Sequence, residues 1–369
     1  MPNATDVFVI GGGPAGLAAA IAARQNGLRV IVADGATPPI DKACGEGFLP
    51  DGLAALQRLG LHLPSEDTHP FGGIRFLSGG LSADAPFPSA ECGLAVRRLS
   101  LHRVMMERAA QLGATMLWRT AVTGISADGV QLGNRLMRAR WVVGADGSNS
   151  RVRQWAGIEA GSRSRLRYAF RQHYQLAPWT DRMEVYWGDR CQGYATAVGR
   201  EQMCVAVASH DPNLRMEDGL RTLPALNARL RNAKVVSAER GALTGNRRFK
   251  RVWHGNVALV GDASGTVDAI TGEGIGLACR QAVALAQCLQ SDNLARYQVE
   301  HRRLMLRPRI MARMTLLLDG RPWLQRRTLR AFQQRREIFQ RLVALHVGAL
   351  SPMRAALDGL TLGWGLLTA

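Results

Sequence analysis

Lysine is almost missing from this chain, with three residues in 369, at positions 42, 234 and 250. The formal charge of +18 therefore rests on arginine, which keeps its proton at any physiological pH. No run of 18 uninterrupted apolar residues occurs, which argues against a membrane-spanning helix. The six cysteines (44, 92, 191, 204, 279 and 288) form no C-x-x-C pair and no zinc spacing, so no metal site is assigned. They suit a reducing cytoplasm better than a disulfide framework. The N-terminus runs almost directly into an apolar strand pattern, so no signal peptide is expected. The expected location is cytoplasmic, with a peripheral seat at the inner face of the membrane as its variant. No nucleic-acid-reading motif accompanies the basic charge, so no nucleic-acid partner is expected.

Acidic residues are scarcest where arginine is densest. Residues 301–350 hold twelve arginines against Asp319 and Glu337, a net of +10. An arginine-rich genome is one explanation. The other is a surface for an acidic carrier protein, a phosphorylated substrate or an anionic membrane.

Glycine, by contrast, is plentiful and placed with a pattern. Asp6 to Ile10 is a short apolar run of the kind that forms a buried parallel strand. Gly11, Gly13 and Gly16 follow it in G-x-G-x-x-G spacing, with Pro14 and Ala15 inside the motif. The first glycine permits a tight turn, the second a close approach of pyrophosphate, and the third close packing of helix on strand. Ala15 to Gln25 reads as that helix, its positive end facing the phosphates. Asp34 closes the second strand, 18 residues after Gly16, where a carboxylate can accept hydrogen bonds from an adenosine ribose.

Two further glycine-centred segments lie far downstream: VVGADGSNSRVR around Asp146, and NVALVGDASGTVDAITGEGIG around Asp262. In the second, Gly272, Gly274 and Ile275 open a helix whose free N–H groups suit the negative pyrimidine end of a reduced flavin. Glu273 reads either as a flavin-side carboxylate or as an acid satisfying the helix dipole. The three segments, in this order and at these separations, indicate one bound FAD.

A chain of this length exceeds a usual single domain. Its pattern is α/β, with a Rossmann-like FAD-binding domain, an inserted antiparallel β-sheet substrate domain and a helical C-terminal tail. The FAD-binding domain is expected over 1–65, 96–150 and 252–292, the sheet domain over 66–95 and 151–251, and the helical region over 293–369. Pro308, Pro322 and Pro352 are expected to break that last region.

The chain resembles the flavoprotein superfamily of p-hydroxybenzoate-hydroxylase-type monooxygenases, geranylgeranyl reductases and flavin-dependent halogenases, over about residues 5–290. GADG at 144–147 resembles its DG motif, which implies Asp146 near the FAD pyrophosphate. ALVGDA at 258–263 resembles its GD motif, with Gly261 in the turn and Asp262 on a ribityl hydroxyl. Arg98 resembles the arginine that contacts the FAD phosphate region. DKACGEGFLP at 41–50 resembles the reductases' K-x-C-G motif and the halogenases' GESLLP. The W-x-W-x-I-P motif of the halogenases is absent, which argues against halogenation. The aromatic-W-x-F-P segment of the reductases is replaced by GYATAVG at 193–199. The resemblance implies an FAD-dependent oxidoreductase with NAD(P)H as electron donor, bound transiently or acting through a separate reductase. Its leading reaction is hydroxylation of an apolar small molecule through a flavin hydroperoxide. The alternative is reduction of a carbon–carbon double bond, and the non-enzyme alternative is an FAD-carrying binding protein.

Cys44 and Glu46 sit in a glycine turn expected near the flavin ring, either for proton donation and substrate positioning or as turn-stabilising residues. Tyr194 and Thr196 are two apart on one strand and share a face, and Tyr194 is the third catalytic candidate. His173 is expected in a structural or exposed role. The apolar stretches 338–350 and 360–369 read as an interfacial helix or as helices packed over the flavin domain.

Overall fold

The computed structural model describes residues 4–88, 91–158 and 166–351. A parallel sheet is built around the strand Ala4–Ile10, which lies between Val30–Asp34 and Arg135–Gly144. Thr115–Trp118 extends one side in parallel and Val257–Leu259 the other. Both faces of this sheet are covered. Val7 and Val9 pack beneath the helices Pro14–Gln25 and Gly274–Gln290, while Phe8 and Ile10 join a separate cluster with Val142 and Val152. Burial on both sides explains why the strand reads as a continuous apolar run. The helix Pro50–Arg58 lies so close to Gly274–Gln290 that a Cβ on Gly276 would stand 2.8 Å from Gly52 Cα.

The inserted sheet carries Arg167–Gln175, Gln202–Ser209, Cys191–Gly199 and Met183–Trp187 side by side and antiparallel. Gly73–Ser78 and Leu81–Pro86 extend it on one side, and Lys234–Val235 and Arg240–Thr244 pair along its other edge. It is antiparallel as expected except at one pair, where Gly73–Ser78 runs parallel to Met183–Trp187. Parallel neighbours need a long crossover, and the chain between these strands supplies one by passing through the first sheet. Thr68–Phe71 and Gly47–Phe48 stay out of the inserted sheet and flank Gly93–Val96 in a small antiparallel sheet of their own.

The C-terminal region forms the helices Leu294–Leu316, Pro322–Gln334 and Arg336–His346. Pro308 does not break the first of these, contrary to its reading as a breaker; it is buried within a continuous helix. Tertiary packing here outweighs intrinsic propensity. Pro322 opens the next helix, where a missing N–H costs nothing. The last two helices pack mainly on the inserted sheet, and His346 at the end of the second reaches the Thr271 carbonyl at 2.9 Å. Phe339 stacks on Phe332 at 4.6 Å and on Phe76 of the sheet at 4.9 Å. Pro352 and the stretch 360–369 lie outside the described residues.

Candidate cofactor and substrate site

The glycine turn after the first strand is shaped by close approach. Gly11 has φ +111°, and a Cβ on it would stand 2.4 Å from the Ala145 carbonyl oxygen. A Cβ on Gly16 would meet the Gly11 carbonyl oxygen at 1.8 Å, so alanine cannot replace it without moving the turn. Gly13 differs, because nothing lies within 4 Å of its Cβ direction. It also precedes the helix Pro14–Gln25 without a side-chain cap, leaving the N–H groups of the first turn, Ala15 and Gly16 among them, for an anion. Asp34 accepts from Gly12 N–H and Ala36 N–H, each at 2.7 Å, and so holds the loop as well as ending the second strand. His102 donates from Nε2 to the Gly12 carbonyl at 2.9 Å. Burial lowers its pKa and keeps it neutral.

The two downstream motifs close on this turn. Asp146 Oδ2 accepts from the N–H groups of Arg151 and Val152, capping the short helix Arg151–Trp155, while its Oδ1 is buried without a partner. Gly261 has φ +61°, and a Cβ there would stand 2.6 Å from Ala15 Cβ, so the GD turn rests against the first glycine helix. Its N–H donates to Gln281 Oε1 at 2.8 Å. Asp262 opens onto solvent within a recess deep enough that desolvation raises its pKa. The positive charges of Lys42, Arg98 and Arg247 face it and oppose that rise. Arg98, the first residue of the helix Arg98–Gln111, is nearly buried and its Nε has no hydrogen-bond partner. An uncapped helix end, a partnerless buried guanidinium nitrogen and two carboxylates with acceptor capacity to spare fit a ligand with phosphate and polyol parts. FAD is such a ligand.

Gly272 has φ +66° and ends the turn Ala269–Thr271. Nothing lies within 4 Å of the Cβ direction of Gly274, so the end of the helix Gly274–Gln290 is open. Ile275 packs partly buried against the core behind it. Glu273 stands at the N-cap position of this helix. Its side chain makes no cap bond, and its Oε1 accepts from Arg280 and Arg307, each at 3.2 Å. Asp51 pairs with the same two arginines, and His346 Nδ1 lies 3.6 Å from Glu273 Oε2.

Beside Gly272 lies a cavity of about 1140 Å³, counting the space at its open mouth. The inserted sheet forms one wall through Phe76, Val185 and Trp187, and the last helices form the roof through Phe332 and Phe339. Carbon lines it almost throughout. Tyr194 does face inward, its hydroxyl donating to Gln192 Oε1 at 3.4 Å, and burial raises its pKa. Thr196 is buried. Arg167, only 1% exposed, donates to the same Gln192 oxygen at 2.7 Å and pairs with Asp268 at 2.9 Å. Asp268 in turn caps the turn that leads to Gly272. Tyr194, the inserted sheet and the turn before Gly272 thus share one buried network.

Cys44 and Glu46 do not line this cavity. Glu46 takes the left-handed conformation, with φ +60°, and its carboxylate is buried. Oε1 accepts from Arg98 N–H at 2.9 Å and Oε2 from His173 Nε2 at 2.7 Å. His173 is fully buried, which corrects its expected exposed alternative. Arg171 reaches His173 Nδ1 at 3.1 Å and Asp41 at 2.6 Å, fastening the 41–46 loop to the inserted sheet. Cys44 is half-buried, accepts a bond from Glu46 N–H, and keeps a thiol whose pKa burial raises.

Glu46, His173 and Cys204 bring three ligand-type atoms within 4.8 Å of one another. The tautomer argues against a metal there. Arginine can only donate, so His173 Nδ1 accepts and Nε2 carries the proton toward Glu46, leaving no lone pair for an ion. Metal-binding histidines show the reverse arrangement, with the distal nitrogen donating.

The fold and the three glycine turns define a flavin-binding protein of the dinucleotide type. The FAD binding domain family matches residues 4–292, and the chain belongs to that family. It is an FAD-dependent oxidoreductase. Menaquinone reductase of Mycobacterium tuberculosis is 30% identical over 80% of this chain and 78% of its own length. Digeranylgeranylglycerophospholipid reductase 1 of Methanothermobacter thermautotrophicus is 28% identical over 82% of this chain and 83% of its own. Among solved structures, a flavoprotein/dehydrogenase from Cytophaga hutchinsonii superposes with a TM-score of 0.80 at 17% identity, covering 94% of this chain and 93% of the other. That likeness concerns the fold. No helix of the described residues is long and apolar enough to cross a membrane.

Proposed function

We propose that this oxidoreductase saturates a carbon–carbon double bond in a long apolar substrate, of the polyprenyl or isoprenoid-lipid kind. The observation that carries the reading is the carbon-lined cavity against Gly272. Hydroxylation, the leading expectation from sequence, needs a substrate held at one angle, which usually calls for several convergent polar groups. An unactivated alkene in a greasy channel needs shape and length more than hydrogen bonds. Two relatives over most of the chain, named as reductases of menaquinone and of a geranylgeranyl lipid, support the same class.

FAD, when bound, supplies the hydride. Gly13, Arg98 and Asp262 would hold its phosphate and ribityl parts, and the Gly272–Gly274 turn would face its ring. The roof helices exclude water from the cavity. Tyr194 holds a proton at its hydroxyl inside the cavity and is placed to give it to the second carbon. Cys44 and Glu46 position the loop beside Arg98. Electrons come from NAD(P)H, directly or through a separate reductase.

The test is a single turnover with chemically reduced enzyme and a polyprenyl quinone, without oxygen. Reoxidation of the flavin with a product that stays heavier by two hydrogens after its quinol ring is reoxidised in air, so that the added hydrogens lie on the prenyl chain, supports the reading. A reaction that proceeds only with oxygen and adds an oxygen atom overturns it in favour of hydroxylation.

A further inference from the structure

The cavity mouth is marked by side chains that a protein surface ordinarily hides. Leu317 is 56% exposed and also lines the cavity; Trp323 is 61% exposed and adjoins Leu324, another lining residue. The two stand on either side of the short connection between Leu294–Leu316 and Pro322–Gln334, where Arg321 donates to the Leu317 carbonyl at 2.9 Å. The second helix is amphipathic across this edge. Gln325, Thr328, Leu329 and Phe332 are buried, whereas Trp323, Arg326 and Arg330 recur three and four residues apart on the exposed face. On the preceding helix Leu306, 53% exposed, and Arg313 share a stripe with Leu317. An exposed indole and leucines ringed by arginine have the composition of a monolayer-seated surface, with apolar groups at the acyl boundary and guanidinium groups at the phosphates.

We infer that the 313–330 edge docks on an anionic lipid bilayer, with Trp323 and Leu317 seated in the interface and Arg313, Arg321, Arg326 and Arg330 on lipid phosphates. Docking places the cavity mouth against the acyl region, so an apolar substrate passes from lipid to cavity without crossing water. The charge of +10 over 301–350 has the sign this requires. The inference concerns the surface and holds whichever reaction the cavity performs.

Flotation of the flavin-loaded protein with vesicles tests it, using phosphatidylcholine alone and phosphatidylcholine with an equal part of phosphatidylglycerol. Binding to the anionic vesicles and little to the neutral ones is expected. Arg321→Gln, Arg326→Gln and Arg330→Gln together should lower the partition coefficient by on the order of a hundredfold, about fivefold per arginine. Trp323→Ala should lower it by about tenfold, with flavin content and reduction rate unchanged. These residues are exposed, so folding is not at stake. No binding to anionic vesicles overturns the inference. So does binding that depends on the arginines but ignores Trp323, which would describe a surface for an acidic protein instead of a bilayer.

Discussion

Replacing His301 by glutamine should remove a pH dependence from the stability of the flavin site. His301 is 2% exposed and donates from Nε2 to Ser264 Oγ at 2.9 Å; Ser264 passes its own proton to the Gly261 carbonyl at 2.8 Å. This chain secures the GD turn. Burial, with the charges of Arg309 and Arg302 adding to it, pushes the imidazole pKa from 6.5 down to about 3. The folded pKa is the lower of the two, so the native state is undisturbed above 6.5 and loses stability as pH falls from there toward 3. At pH 5 the unfolded imidazole is almost fully protonated and the native one almost not, a difference of about 2 kcal/mol. A native pKa one unit higher would hardly change that figure. Glutamine keeps an N–H donor toward Ser264 and does not titrate. Urea unfolding, followed by tryptophan emission and by flavin release at pH 7 and pH 5, should show wild type losing about 2 kcal/mol more than His301→Gln. Other titrating groups contribute to both proteins and cancel. Equal losses in the two would refute the assignment of His301 as a buried neutral donor.

Two further outcomes follow from the site. Asp262→Ala should weaken FAD retention by roughly 1.5–3 kcal/mol, about ten- to a hundredfold, for loss of a charged hydrogen bond to the ribityl chain; Cys44→Ala should leave retention near wild type, and equilibrium dialysis of the flavin separates the two. Tyr194→Phe should lower turnover by about a hundredfold while leaving the flavin spectrum and its reduction rate intact; an unchanged turnover number would remove the hydroxyl from the reaction.

The parallel sheet and its glycine turns were legible because they are local. A strand, a turn and a helix occupy some thirty consecutive residues, and the chemistry of phosphate binding dictates where glycine must fall. The alternating strands of the insertion could be read for the same reason. What eluded sequence reasoning is what the fold assembles from a distance. Glu46 and His173 are 127 positions apart, and nothing near either residue announces the other. The cavity draws its walls from strands near residues 75 and 185, a turn near 271 and helices beyond 310. One signal was available. Arg167, Arg171 and His173 fall at even spacing along a single strand and share a face, and polar residues repeated at that interval within an apolar sheet mark a face with buried partners. Pro308 carries a local penalty against helix, and the packing that outweighs it comes from residues distant in sequence.

The clasp at Glu273 bears on the order in which the molecule can be made. Asp51, Arg280, Arg307 and the buried Glu273 form one part-buried cluster, and His346 both borders it and donates to the Thr271 carbonyl at 2.9 Å. The turn at Gly272 is therefore pinned by a residue near the end of the described chain. A ribosome that has delivered the glycine motif, both sheets and the GD turn has still not delivered the last fastener. Domains generally acquire structure from the N-terminus during synthesis, so the nucleotide half can form early while the ring half waits. Flavin captured by a nascent chain would be held by its adenosine and phosphates first, and the turn proposed to face its ring would be fastened only once His346 has emerged.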